Sequence, residues 1–199
     1  MKLVERSILL AEGEGLGAKP RPDLIAPVLG HLSATLIDSV RMGFLHASRA
    51  RGRTPGFVNA ASDIRFIGHA ASGDGGTILR FEVPRFGVVA EEVFRQTQLW
   101  EDGPQPDETA FELLGAAIGD VGAHRLESNR FDPGLLRRIG SYSRVLNRGV
   151  GRIELSDVQL PHPARIDAAL VKAATELAAA TPAAQRVRVT GRLDLMGAS

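Results

Sequence analysis

Cysteine is absent from this 199-residue chain, which excludes disulfides, thiolate nucleophiles and cysteine-based zinc or iron–sulfur sites. Net charge is nearly absent as well. At +1 the whole molecule carries no strong field for nucleic acid or an anionic membrane, so any such binding must come from a local patch. Lysine is scarce: Lys2, Lys19 and Lys172 are the lysines among 24 basic residues, and the rest are arginine. With many alanines and glycines, that bias suggests a GC-rich bacterial genome. No basic-then-apolar leader and no apolar run approaching a membrane span are read from the sequence. The expectation is a cytoplasmic protein without a membrane partner.

What is present is ordinary for a globular protein, with 44% hydrophobic and 24% charged residues. The length suits a single α+β domain over residues 1–199, within which 104–150 is a candidate helical subdomain. The clearest signal is a hairpin. Residues 63–69 and 77–83 each alternate in character, and the segment between them is small, polar and glycine-rich. Setting Phe66 opposite Phe81 also places Ile64 against Val83, Gly68 against Leu79 and Arg65 against Glu82. A two-residue slip would oppose Arg65 with Arg80, a like-charge pair that cross-strand energetics disfavour. One face then holds Ile64, Phe66, Leu79, Phe81 and Val83, with Phe66 and Phe81 expected as buried neighbours. The other holds Asp63, Arg65, His69, Arg80 and Glu82.

The rest of the chain reads as helices with a few strands. Residues 3–11 are a candidate strand. Ile25, Val28 or Leu29, Leu32, Leu36, Val40 and Phe44 recur at three- and four-residue steps, the stripe of a long N-terminal helix begun at Pro22 or Pro27 and ended by 48–52. Thr54, Pro55 and Gly56 read as a turn into the hairpin, and 88–96 has weak helical spacing. Asp107 is the expected cap of a helix with the stripe Phe111, Leu114, Ile118 and Val121. Residues 122–130 read as a connector. Asp132 followed by Pro133 is the strongest helix start, with Leu135, Ile139, Tyr142 and Leu146 inward. A strand over 152–158 turns Ile153 and Leu155 inward, and an alanine-rich helix over 164–180 carries Ile166, Leu170, Ala173 and Leu177 on one side. Residues 186–195 alternate cleanly, with Val187, Val189, Leu193 and Leu195 on one face and Arg186, Arg188 and Arg192 on the other.

The runs 63–66, 79–84 and 185–194 resemble segments of a group of uncharacterised bacterial proteins. The resemblance implies no activity and suggests that relatives continue past the last strand.

Two candidate sites follow from the residues once the motif readings that fail are set aside. Gly13, Gly15 and Gly17 are spaced two apart, whereas a dinucleotide loop needs its third glycine three residues after the second, and Glu12 and Glu14 would repel a phosphate. That loop is therefore read as a connector. His31, His46, His69, His124 and His162 show no metal-ligand spacing, so neither a metal nor a cofactor is expected. No nucleophile elbow or P-loop occurs; Ser141 lies inside the expected helix. The polar hairpin face, with Arg65, His69, Arg80 and Glu82, is the candidate ligand site. Its bland alternative is the solvated face of an antiparallel sheet. Arg137, Arg144 and Arg148 step by helical spacing opposite the apolar stripe and are the candidate anion site, for nucleic acid or phosphate ligands.

The expected architecture is an antiparallel or mixed sheet that contains the central hairpin, packed against the long N-terminal helix and further helices. The leading functional expectation is a non-catalytic binding or regulatory protein acting through a protein partner or as a homo-oligomer. An anion-binding module is the second reading. A hydrolase or transferase on the hairpin face is the third.

Overall fold

The computed structural model describes residues 3–49, 52–96, 103–156, 160 and 164–181. In chain order the elements are β1 (Leu3–Ala11), α1 (Pro22–Leu45), α2 (Gly56–Ala61), β2 (Arg65–Ala71), β3 (Thr77–Pro84), α3 (Phe86–Val89) and α4 (Glu91–Gln96). There follow α5 (Ala110–Gly122), α6 (Pro133–Gly140), α7 (Ser143–Leu146), β4 (Arg152–Ser156), β5 (Ala164–Ile166) and α8 (Ala168–Ala180). The five strands form one antiparallel sheet in the order β2-β3-β1-β4-β5, so the fold is α+β. The expected strand over 186–195 lies outside the described residues.

β1 takes the centre, between β3 and β4. Ile8 and Leu10 are fully buried, and across the sheet Leu79, Phe81, Val83, Ile153 and Leu155 join them. These side chains belong to one core with Leu24, Val28, Leu32, Leu36 and Val40 of α1. Each such side chain contributes about 1.5–3 kcal/mol by leaving water. α1 also buries a second, polar side that its apolar stripe does not announce. Thr35 Oγ1 donates to the His31 carbonyl at 2.6 Å and is hydrogen-bonded to the Tyr142 hydroxyl at 3.2 Å. Asp38, also buried, accepts from Arg138 Nε at 2.8 Å, which ties α1 to α6. By length and composition α1 is apolar enough to cross a membrane, contrary to expectation, with a mean hydropathy of 1.2 over 18 residues. In this fold it is the helix around which the core is built.

The hairpin register begins as expected, with Arg65 opposite Glu82 and Phe66 opposite Phe81. A bulge at Ile67 then shifts it, so Gly68 faces Arg80 and His69 faces Leu79. Gly68 has φ 148°, a backbone conformation that glycine adopts without a Cβ penalty. One extra residue moves every later side chain to the opposite face. Phe81 is buried at 1% exposure, but Phe66 is 47% exposed, because among the described residues β2 is an edge strand with no neighbour beyond it. The two rings remain in contact, with centroids 5.8 Å apart.

Local chemistry also relocates several helix ends. Residues 56–61 form α2 rather than a plain turn, burying Val58 and Ala61. α5 is capped by Thr109, not Asp107. Thr109 Oγ1 accepts from Phe111 N, while the Glu112 carboxylate accepts from Thr109 N at 3.0 Å in a capping box. Asp132 caps α6 as expected, accepting from Leu135 N at 2.8 Å, and it also holds the chain after α1 through Ser48 N and Oγ at 3.0 and 2.6 Å. The helix then tightens: Tyr142 N donates to Ile139 O, and the 141–142 step separates α6 from α7. Val145 is buried in consequence, while Leu146 is only half-buried. Residues 164–166 extend the sheet as β5, and Asp167 caps α8 by accepting from Leu170 N at 2.9 Å.

Candidate functional site

The hairpin's polar residues are only partly brought together. Arg65, Arg80 and Glu82 share the outer face of the sheet, where Arg65 lies 3.6 Å from Asp63 and Arg80 lies 3.2 Å from Glu5. The bulge places His69 on the other face, opposite Leu79, with Nε2 at 3.2 Å from the Ala18 carbonyl. Arg137, Arg144 and Arg148 are all exposed. They sit on α6, on α7 and beyond α7, so the break at 141–142 interrupts the single helical stripe expected for them. Among the described residues no group of three His, Asp or Glu side chains is placed to hold a metal.

A concavity lies elsewhere among the described residues, in a groove of about 880 Å³ between α1, α5 and two loops. Its floor is apolar: Met42 and Gly43 from α1, Leu113 and Ala116 from α5, and Pro104. Gly43 lets the helices approach, since a Cβ there would sit 2.8 Å from Leu113 Cδ1 and 3.2 Å from Pro104 Cγ. His46 stands at the end of α1 with φ 52°, where its N–H closes the helix on the Met42 carbonyl at 3.0 Å.

One wall is the 123–130 loop, and Asp120 fastens it. This carboxylate is buried, and Arg125 NH1 donates to its Oδ1 at 3.0 Å. Ser128 Oγ and Arg130 NH1 donate to its Oδ2 at 2.7 and 2.9 Å. Burial alone would raise the Asp120 pKa. The hydrogen bonds from Ser128 and Arg130, with the charges of Arg130 and Arg125, outweigh that and hold the carboxyl below its usual range. Leu126, in the same loop, is 62% exposed and lines the groove.

The other wall is the 103–109 loop. Glu108 accepts from Gln105 N at 2.8 Å. Burial pushes its pKa up; the Gln105 bond opposes this, and the nearby charges of Glu112 and Asp107 add to it. Glu112, which also lines the groove, is held by Arg6 from the central strand at 3.0 and 2.5 Å. That pair is well shielded and joins β1 to α5.

Sequence reasoning missed this groove because its residues come from segments 90 positions apart. One signal was present. Asp120 lies in the last turn of α5, where the helix dipole disfavours a carboxylate, so the position calls for cationic partners, and Arg125 and Arg130 follow within ten residues. Comparison of the chain with protein-family models, with curated proteins and with solved structures finds no match.

Proposed function

We propose that this is a non-catalytic binding protein of the cytoplasm whose ligand occupies the groove between α1 and α5. The observation that carries the reading is the groove itself, about 880 Å³ with an apolar floor and a polar rim. Small-molecule sites have this size, and here the polar share of the lining exceeds the apolar one. What favours binding over turnover is that its buried acids and hydroxyls, Asp120, Glu112 and Ser39, are engaged in holding the fold. Asp120 fastens a loop, Glu112 caps α5 and pairs with Arg6, and Ser39 donates to the Thr35 carbonyl. A general base or nucleophile would need freedom to meet a substrate proton or carbonyl.

The test is a thermal-shift series with small amphipathic molecules on the wild type and on Ala116→Trp, whose indole would fill the half-buried floor. A ligand at 100 times its Kd stabilises the folded state by about 2.7 kcal/mol. The expected result is stabilisation of the wild type that is lost in Ala116→Trp. Absence of any shift, or equal shifts in both proteins, would reject the groove.

Self-association is a second reading with its own observation. Among the described residues β2 is a seven-residue edge strand, and Phe66 and Ile67 on it are 47% and 40% exposed. Edge strands with exposed apolar residues are surfaces for strand pairing. Light scattering over a concentration series should show a dimer that Ile67→Lys weakens. A wild type that stays monomeric at high concentration would end this reading.

A further inference from the structure

We infer that the ligand of the α1–α5 groove is a small amphiphile with a carboxylate head and an apolar body, its head bound between Arg125 and Arg130; this rests on the groove being a ligand site. Two arginines here converge on one buried carboxylate. Each uses a single nitrogen, NH1, on a separate oxygen of Asp120, at 3.0 and 2.9 Å. Their side chains are 65% and 52% exposed, whereas that of Asp120 is 7% exposed. Each guanidinium carries five N–H donors in a fixed fork. The Nε and NH2 donors of both therefore remain unused by Asp120.

The Asp120 carboxylate does more than neutralise them. It anchors two long side chains that would otherwise lose rotamer freedom on meeting a ligand, so their ordering precedes binding. The local cluster of two guanidiniums and one carboxylate is left with one surplus positive charge. Planar donor forks match the geometry of a carboxylate, which can accept from both. The apolar floor of Leu113, Ala116 and Met42, together with exposed Leu126, offers the surface for a hydrocarbon body.

Acidic groups oppose this preference and limit its size. Glu112 is compensated by Arg6. Glu108 and Glu127 also line the groove, and they favour a cationic head. Glu108 is weakened in that role by burial and by its acidic neighbours, which disfavour its charged form. Glu127 is exposed and water-screened. Head-group selectivity is therefore modest, about fivefold, the size expected of two solvent-screened charge contacts.

The experiment compares octanoate, octanol and octylamine, three probes with one tail and heads of charge −1, 0 and +1, by calorimetric titration at low salt. Octanoate should bind about fivefold tighter than octylamine. The double variant Arg125→Gln, Arg130→Gln keeps a donor at each position and should lose that preference. Glu127→Gln, on an exposed residue outside the hydrogen-bonded cluster, should raise octanoate affinity and lower that of octylamine. Equal binding of the three heads, tighter binding of octylamine, or a preference that survives the double variant would overturn the inference and leave the groove standing. Failure of all three probes, octanol included, to bind the wild type would remove the groove and the inference with it.

Discussion

Asp120→Asn is the substitution that probes the groove wall most directly. It removes the charge, keeps the shape and leaves one acceptor oxygen, while the new amide N–H₂ confronts a donor. Three contacts are affected: Ser128 Oγ at 2.7 Å, Arg130 at 2.9 Å and Arg125 at 3.0 Å. A hydrogen bond to a charged group is worth about 1.5–3 kcal/mol, and only part of the Ser128 bond is lost. The two arginines are more than half exposed, so each ion pair is discounted to about 0.2–1 kcal/mol. The expected total is about 2 kcal/mol, or roughly 4–8 °C in Tm for a domain of this size. The pH dependence has a definite sign. The folded-state pKa of Asp120 lies below its unfolded value, so the carboxylate's contribution is fully present above about pH 3.9 and is lost as pH falls through the folded value. Thermal melts of both proteins from pH 7 toward pH 3 measure this. The gap should be widest near neutrality and should narrow on acidification. A gap independent of pH, or no loss of Tm at pH 7, would refute the assignment of Asp120 as the anchor of the 123–130 loop.

Other substitutions separate edge from core. Phe81→Ala should cost about 3–5 kcal/mol, and Phe66→Ala about 1–2 kcal/mol, since Phe81 is buried while Phe66 is half exposed; equal denaturant midpoints for the two would contradict the edge position of β2. Glu112→Gln leaves Arg6 shielded beside an uncharged partner and weakens the cap of α5 at once. It should cost about 3 kcal/mol in urea unfolding, and a loss below about 1 kcal/mol would show that the pair is neutral to stability.

Periodicity carried the reading of the fold as far as one-dimensional pattern reaches. The long helix, the inward turn of Ile153 and Leu155, and the cap at Asp132 follow from side-chain spacing and local hydrogen bonding, which act within a few residues. Like-charge repulsion between Arg65 and Arg80 was enough to set the first hairpin pairs. The bulge at Ile67 was not legible. It depends on the twist and edge position of β2, which exist only once β3 lies against β1. The same reason explains α5's start. Thr109 and Asp107 are both good caps in isolation, and the choice fell to Thr109 because Glu112, three residues on, is held in place by Arg6 from the central strand. The groove belongs wholly to tertiary structure. Met42, Leu113 and Asp120 meet only where α1 crosses α5, and no local rule links residues separated by 70 positions of chain. Sequence alone determined which segments bury an apolar side, because burial follows composition and period; packing decided which polar residues would face one another, because that depends on where those segments come to rest.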